Sequence, residues 1–200
     1  MPRDEDRPGS VIAWSNLIAG QARCLTTYPA VCGAFQTFEE EQHMPDTQHL
    51  NAEIRDMLMD CGLFDTLQPG DFLAAAGYFS LAAVAQGQTL FSEGDAGTFM
   101  CILHRGVVSV RKTDGNGAQV EIATLRKGRA FGEMAVLDGE RRSATCVAAS
   151  DCQLLTLGKD ALEKMLNEAP RIAARIIRAL AVALSKRLRM QDGQRLAQQV

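Results

Sequence analysis

No apolar run in this 200-residue chain reaches the roughly 18 residues needed to span a bilayer. The cysteines (Cys24, Cys32, Cys61, Cys101, Cys146 and Cys152) form no Cys-x-x-Cys pair, so the usual zinc spacing is missing. His43, His49 and His104 do not cluster, and there is no His-Glu-x-x-His pattern. A Gly-x-Ser-x-Gly elbow is likewise absent. The formal net charge of -3 provides no broad basic field for nucleic acid or an anionic membrane. The opening Met1-Pro2-Arg3-Asp4-Glu5-Asp6 is too acidic for a secretory or transit peptide. These absences point to a cytoplasmic, non-enzymatic protein without a metal or cofactor, its cysteines being thiols. Cys101 and Cys146 fall in apolar, strand-like runs and are expected to be buried and reduced.

Organisation sharpens after about residue 45. Residues 1–45 read as a weakly ordered tail, with mildly apolar stretches at 11–18 and 31–38 and the acidic run Glu39-Glu40-Glu41. Thr47 is a candidate N-cap for a helix over 50–58, in which Leu50, Ile54, Met57 and Leu58 share one face. A second short helix is predicted over 70–76. Residues 81–157 then read as short strands between turn residues. Alternation appears at 89–91 and 98–103, and residues 107–112 form a clear strand. Asp114-Gly115-Asn116-Gly117 is a hairpin turn, from which 119–125 returns. Breaks fall at Gly87, Gly94, Gly106, Gly128 and Gly132. The expected fold is mainly β with flanking helices: a jelly-roll barrel, or double-stranded β-helix, over 46–169.

The stretch carrying the chemistry is Phe131-Gly132-Glu133-Met134-Ala135, followed by the Asp138-Gly139 turn and Arg141-Arg142-Ser143-Ala144-Thr145. A glycine lets backbone amides approach a ligand closely. A short helix opening at Glu133 would present free N–H groups to an anion. Arg142 adds a planar fork of donors suited to phosphate oxygens, and Ser143 adds a hydroxyl. Glu133, when ionised, accepts hydrogen bonds from a sugar hydroxyl. Two plainer readings compete. One is a surface ion pair between Glu133 and Arg142 beside a tight turn; the other is a basic phosphorylation site at Arg141-Arg142-Ser143.

This stretch resembles the phosphate-binding cassette of the cyclic-nucleotide-binding domain family. That family includes the bacterial catabolite activator, the regulatory subunits of cAMP-dependent protein kinase and cyclic-nucleotide-gated channels. The family pattern reads roughly Phe-Gly-Glu-Leu/Met-Ala/Gly, then Pro-Arg-Ser/Thr/Ala-Ala-Thr. The resemblance implies a ligand site made of Gly132, Glu133, Met134, Ala135, Arg142, Ser143 and Ala144. Glu133 would take the ribose 2′-hydroxyl. Arg142 and Ser143 would take the cyclic phosphate, with the amides near Met134 and Ala135. Arg141 departs from the pattern, standing where many members have proline, which is expected to loosen the turn.

From Pro170, a residue suited to a helix first turn, Ile172, Ile176, Leu180, Leu184 and Leu188 recur every four positions. Arg171, Arg175, Arg178, Lys186, Arg187 and Arg189 lie between them. The pattern predicts a long amphipathic helix over 170–200, packing on the barrel, closing over a ligand or pairing with a second copy. Ala179, Leu180, Ala183 and Arg187 are candidate lid residues. The chain ends soon after, and the expectation is a stand-alone sensor for cAMP, in preference to cGMP, without a DNA-binding or catalytic domain. The alternatives are a nucleotide-free scaffold of the same fold that binds a protein effector and, more weakly, a DNA binder acting through the basic helix.

Overall fold

The computed structural model describes residues 47–197. The expected tail, with its stretches at 11–18 and 31–38, lies outside them. Two helices come first, α1 (Thr47–Asp60) and α2 (Pro69–Ala76). Six short strands follow: β1 (Ser80–Val84), β2 (Thr89–Phe91), β3 (Phe99–Arg105), β4 (Val108–Thr113), β5 (Gln119–Leu125) and β6 (Ala130–Phe131). A one-and-a-half-turn helix, α3 (Glu133–Asp138), interrupts them before β7 (Thr145–Ala148) and β8 (Cys152–Gly158). Two helices close the described chain, α4 (Lys159–Glu168) and α5 (Pro170–Ala197).

The strands form two four-stranded sheets, ordered β1-β8-β3-β6 and β2-β7-β4-β5, with every pairing antiparallel. Neighbours are mostly distant in sequence, as in a jelly roll. Period-two alternation explains how β3 and β8 serve two cores. Met100 and Ile102 of β3, with Leu155 and Leu157 of β8, join the helices. Cys101 and Leu103, with Cys152 and Leu154, face the space between the sheets. The first sheet is therefore buried on both faces along these strands. The alternation expected over 98–103 is therefore not observed: residues 100–103 are all buried, two facing the helices and two the other sheet. The β4–β5 hairpin extends from the edge of the other sheet, and β5 is exposed along nearly its whole length.

The helical layer is built on the same logic. Ile54, Met57 and Leu58 of α1 are buried, with Leu50 packed beside them. In α5, Ile172, Ile176 and Leu180 are buried, Leu184 is half-buried and Leu188 is 59% exposed. A repeat of four in a helix of 3.6 residues per turn advances about 40° per step, so the stripe winds off the barrel as the helix proceeds. The fully buried apolar contacts of α5 thus lie in its first half. Among the described residues, no helix is long and apolar enough to cross a membrane.

Candidate functional site

Strand β6 delivers the chain to the site by pairing Phe131 with Cys101 and Ala130 with Ile102 of β3. The backbone then turns through Gly132 at φ 71°, the left-handed region that suits glycine. A Cβ at Gly132 would stand 2.6 Å from Arg142 Nη1 and 3.1 Å from the Phe91 ring. Space and dihedral both exclude a side chain here. Helix α3 runs from Glu133 to Asp138 and stops at Gly139, also left-handed at φ 77°.

The returning segment is fixed by the loop after β2. The Gly94 N–H donates to the Arg142 carbonyl, and the Arg142 N–H donates to the Asp95 carbonyl, both at 2.9 Å. Arg141 bridges to Ala96, and its Nη1 donates to the Gly94 carbonyl at 2.7 Å. The arginine standing in the usual proline position therefore does not loosen the turn: its side chain anchors it. The same loop presses on α3. A Cβ on Gly97 would lie 2.1 Å from the Ala135 Cβ. A Gly97→Ala variant is expected to push α3 and the loop apart, destabilising the fold by about 1–3 kcal/mol. Thermal melting checks this, and an unchanged transition would refute the close approach.

Arg142 is only 3% exposed. Its Nη1 donates to the Gly132 carbonyl at 2.8 Å and its Nη2 to the Phe99 carbonyl at 2.6 Å. The guanidinium carbon lies 4.0 Å from the centroid of Phe91 and 4.8 Å from that of Phe99. Its buried Nε has no hydrogen-bond partner. No ion pair joins it to a carboxylate among the described residues, which sets aside the Glu133–Arg142 surface pair. Desolvation pulls its pKa below the ordinary arginine value. A buried charge held by carbonyls and ring faces, with no carboxylate in direct contact, is suited to receive an anion.

Glu133 opens α3 and is 2% exposed. Its Oε1 accepts from Arg187 Nη1 at 3.0 Å, and Arg187 Nη2 donates to the Ala130 carbonyl at 3.0 Å. Both arginines thus hold the Ala130–Gly132 backbone, Arg142 from the barrel and Arg187 from α5. Ala135 and Ala144 are buried, Met134 is 45% exposed and Ser143 is exposed. Of the candidate lid residues, Ala179 and Leu180 are buried in the helical core together with Val136 of α3. Ala183 and Arg187 are half-buried.

Sequence reasoning missed Phe91 and Phe99 as the floor of the arginine, Gly97 as a contact, and the pairing of Arg187 with Glu133. Only the position of Phe91 and Phe99 in alternating strands was visible. Two thiols also border the site. Cys101 on β3 and Cys146 on β7 are buried, and desolvation raises both, Cys146 to about 12. Since the thiolate is the nucleophile, both are expected to resist alkylation at pH 8 in folded protein. Site-resolved mass spectrometry checks this, and prompt labelling of either would contradict the packing.

The cyclic nucleotide-binding domain family model matches residues 81–169. The chain is 34% identical over 130 residues to the cyclic AMP receptor protein of Thermus thermophilus, covering 65% of this chain and 58% of that protein. It is 29% identical over 110 residues to the cAMP-dependent protein kinase regulatory subunit of Aspergillus niger, covering 55% of this chain and 26% of that protein. The chain thus spans less than two thirds of these relatives' lengths. Its fold matches the crystal structure of a cyclic nucleotide-binding domain from Methylobacillus flagellatus with a TM-score of 0.66 and 28% identity, covering 74% of this chain and 83% of that one. The catabolite activator protein of Thermus thermophilus matches with a TM-score of 0.59 and 32% identity, covering 66% and 60%. Barrel, cassette and comparisons agree: residues 81–169 of this chain form a cyclic nucleotide-binding domain.

Proposed function

We propose that this protein binds a cyclic nucleotide, cAMP in preference to cGMP, and acts as a regulatory sensor without catalytic chemistry of its own. The observation that carries this reading is Arg142: a buried guanidinium with two carbonyls, two aromatic faces and no carboxylate. A cyclic phosphate is the anion that would complete its shell, joined by the first amides of α3 and the Ser143 hydroxyl. Glu133, beside it across Gly132, takes the ribose 2′-hydroxyl. The preference for cAMP draws on relatives named as a cyclic AMP receptor and cAMP-dependent kinase subunits. Ligand added at a thousand times Kd stabilises the folded state by about 4 kcal/mol. A melting transition that rises with cAMP concentration is the expected result, and an unmoved one favours a nucleotide-free scaffold.

The output runs through α5, by differential affinity of the ligand for two arrangements of that helix. Its outer half offers Ala181, Val182, Leu188 and Met190 to solvent. This exposed apolar surface favours a homodimer through α5. Sedimentation of the wild type against Leu188→Glu tests the pairing: a dimer converted to a monomer supports it, and a monomeric wild type refutes it.

A further inference from the structure

We infer that Phe99 is a positioning residue for phosphate recognition: with Phe91 it forms an aromatic corner that holds the Arg142 guanidinium by its faces and leaves its edge to the ligand. The inference rests on the binding reading above and names what sets the strength of the phosphate contact. Phe91 ends β2 and Phe99 opens β3. Their rings meet at 73° with centroids 6.0 Å apart, so they form a corner. The guanidinium carbon lies in it, 4.0 Å and 4.8 Å from the two centroids. Phe99 acts twice, since its carbonyl also accepts from Arg142 Nη2. A third ring, Phe131, lies 6.1 Å from Phe91 and extends the aromatic cluster.

Ring and phosphate use different parts of the arginine. An aromatic ring attracts the cation through its face, whereas phosphate oxygens take N–H groups in the guanidinium plane. An arginine has five such donors. Nη1 and Nη2 each give one to a carbonyl, and the buried Nε has no partner. In-plane donors thus stay open while the rings hold the group. A long side chain carries much rotamer freedom, and ordering it before the ligand arrives strengthens binding. Loss of the Phe99 ring leaves the carbonyl bond but lets the guanidinium swing within the widened corner.

The test is calorimetric titration of the full chain with cAMP, as wild type, Phe99→Leu, Phe99→Tyr, and Phe99→Leu combined with Arg142→Ala. Phe99→Leu is expected to weaken binding about tenfold, the range of a desolvated cation–π contact. Phe99→Tyr keeps the aromatic face and should stay within about threefold of wild type. On the Arg142→Ala background, Phe99→Leu should weaken binding by less than about twofold further, because the ring acts through the arginine. Should Phe99→Leu not fold, fluorinated phenylalanines at this position stand as the test. They draw electrons from the ring face while keeping its shape, and affinity should fall stepwise with fluorination. Wild-type affinity in Phe99→Leu, or affinity that ignores fluorination, overturns the inference. So does a Phe99→Tyr as weak as Phe99→Leu, or an equal loss with and without Arg142, either of which marks an ordinary packing residue. A wild type that does not bind cAMP defeats the binding reading itself, an outcome distinct from these.

Discussion

Replacing Arg142 with alanine is expected to lower cyclic-nucleotide affinity by at least about a hundredfold, the largest functional effect predicted for any single substitution. Hydrogen bonds to charged groups contribute about 1.5–3 kcal/mol each, and a bidentate guanidinium–phosphate contact makes two. Since 1.4 kcal/mol corresponds to tenfold, two such bonds reach roughly a hundredfold or more. The ligand-free protein should respond differently. Alanine leaves the Gly132 and Phe99 carbonyls without their guanidinium donor, which destabilises. It also removes a desolvated charge that touches no carboxylate directly, which stabilises. The two effects oppose, so the ligand-free melting transition should stay within a few degrees of wild type while binding is lost. Arg142→Lys is not expected to restore affinity. An ammonium cannot span both carbonyls and stack between Phe91 and Phe99 as the planar group does. Calorimetric titration and thermal melting together check this, and wild-type affinity in Arg142→Ala would sink it.

Phe64→Ala is expected to have the largest effect on stability, about 3–5 kcal/mol. Phe64 is 1% exposed and meets Phe79 edge to face, with centroids 6.4 Å apart and planes at 62°. It lies between α1 and α2, in the cluster that also holds Met165 of α4 and Ile176 and Leu180 of α5. Deleting the ring loses its burial and opens a cavity that four helices would have to close together. Domains are stable by only about 5–15 kcal/mol, so much of the margin disappears. Urea unfolding should show a lower midpoint with an unchanged slope. A loss below about 1 kcal/mol would mean the helical layer collapses around the gap, contrary to close packing of this cluster. Because Leu180 shares that cluster with Val136 of α3, the substitution should also loosen the grip of α5 on the cassette.

Much of this architecture was legible because the signals were local. The hairpin turn, the strand at 107–112 and the helix at 50–58 follow from turn chemistry and periodicity over a few residues. They appear as β4, β5 and α1, with the Asp114 N–H donating to the Ala118 carbonyl across the turn. The breaks at Gly87, Gly94, Gly106, Gly128 and Gly132 all take positive φ. Helix α4 was not anticipated. Its stripe of Ala161, Leu162, Met165 and Leu166 packs on the helical core, but no side-chain cap marks its start. The every-four repeat in α5 overstated the packed length, because such a stripe winds around the helix.

The cassette was legible as a motif, and the structure brings Gly132, Glu133 and Arg142 together. What the motif did not contain was its surroundings. Phe91 and Phe99 reach Arg142 from β2 and β3, and Arg187 reaches Glu133 across 54 residues. Such contacts depend on how strands and helix cross, which no window of neighbouring residues encodes. Arg141 teaches the same lesson: its identity departs from the family pattern, yet its bond to the Gly94 carbonyl anchors the turn where proline would have stiffened it.

The central claim is that the Arg142–Glu133 cassette receives a cyclic nucleotide. The most direct measurement is calorimetric titration of folded, nucleotide-free protein with cAMP and, separately, cGMP. Saturable binding at one site per chain, tighter for cAMP, is the predicted result. No heat and no competition between the two nucleotides at millimolar concentration would contradict it, and the buried Arg142 would then be a structural clamp of the barrel.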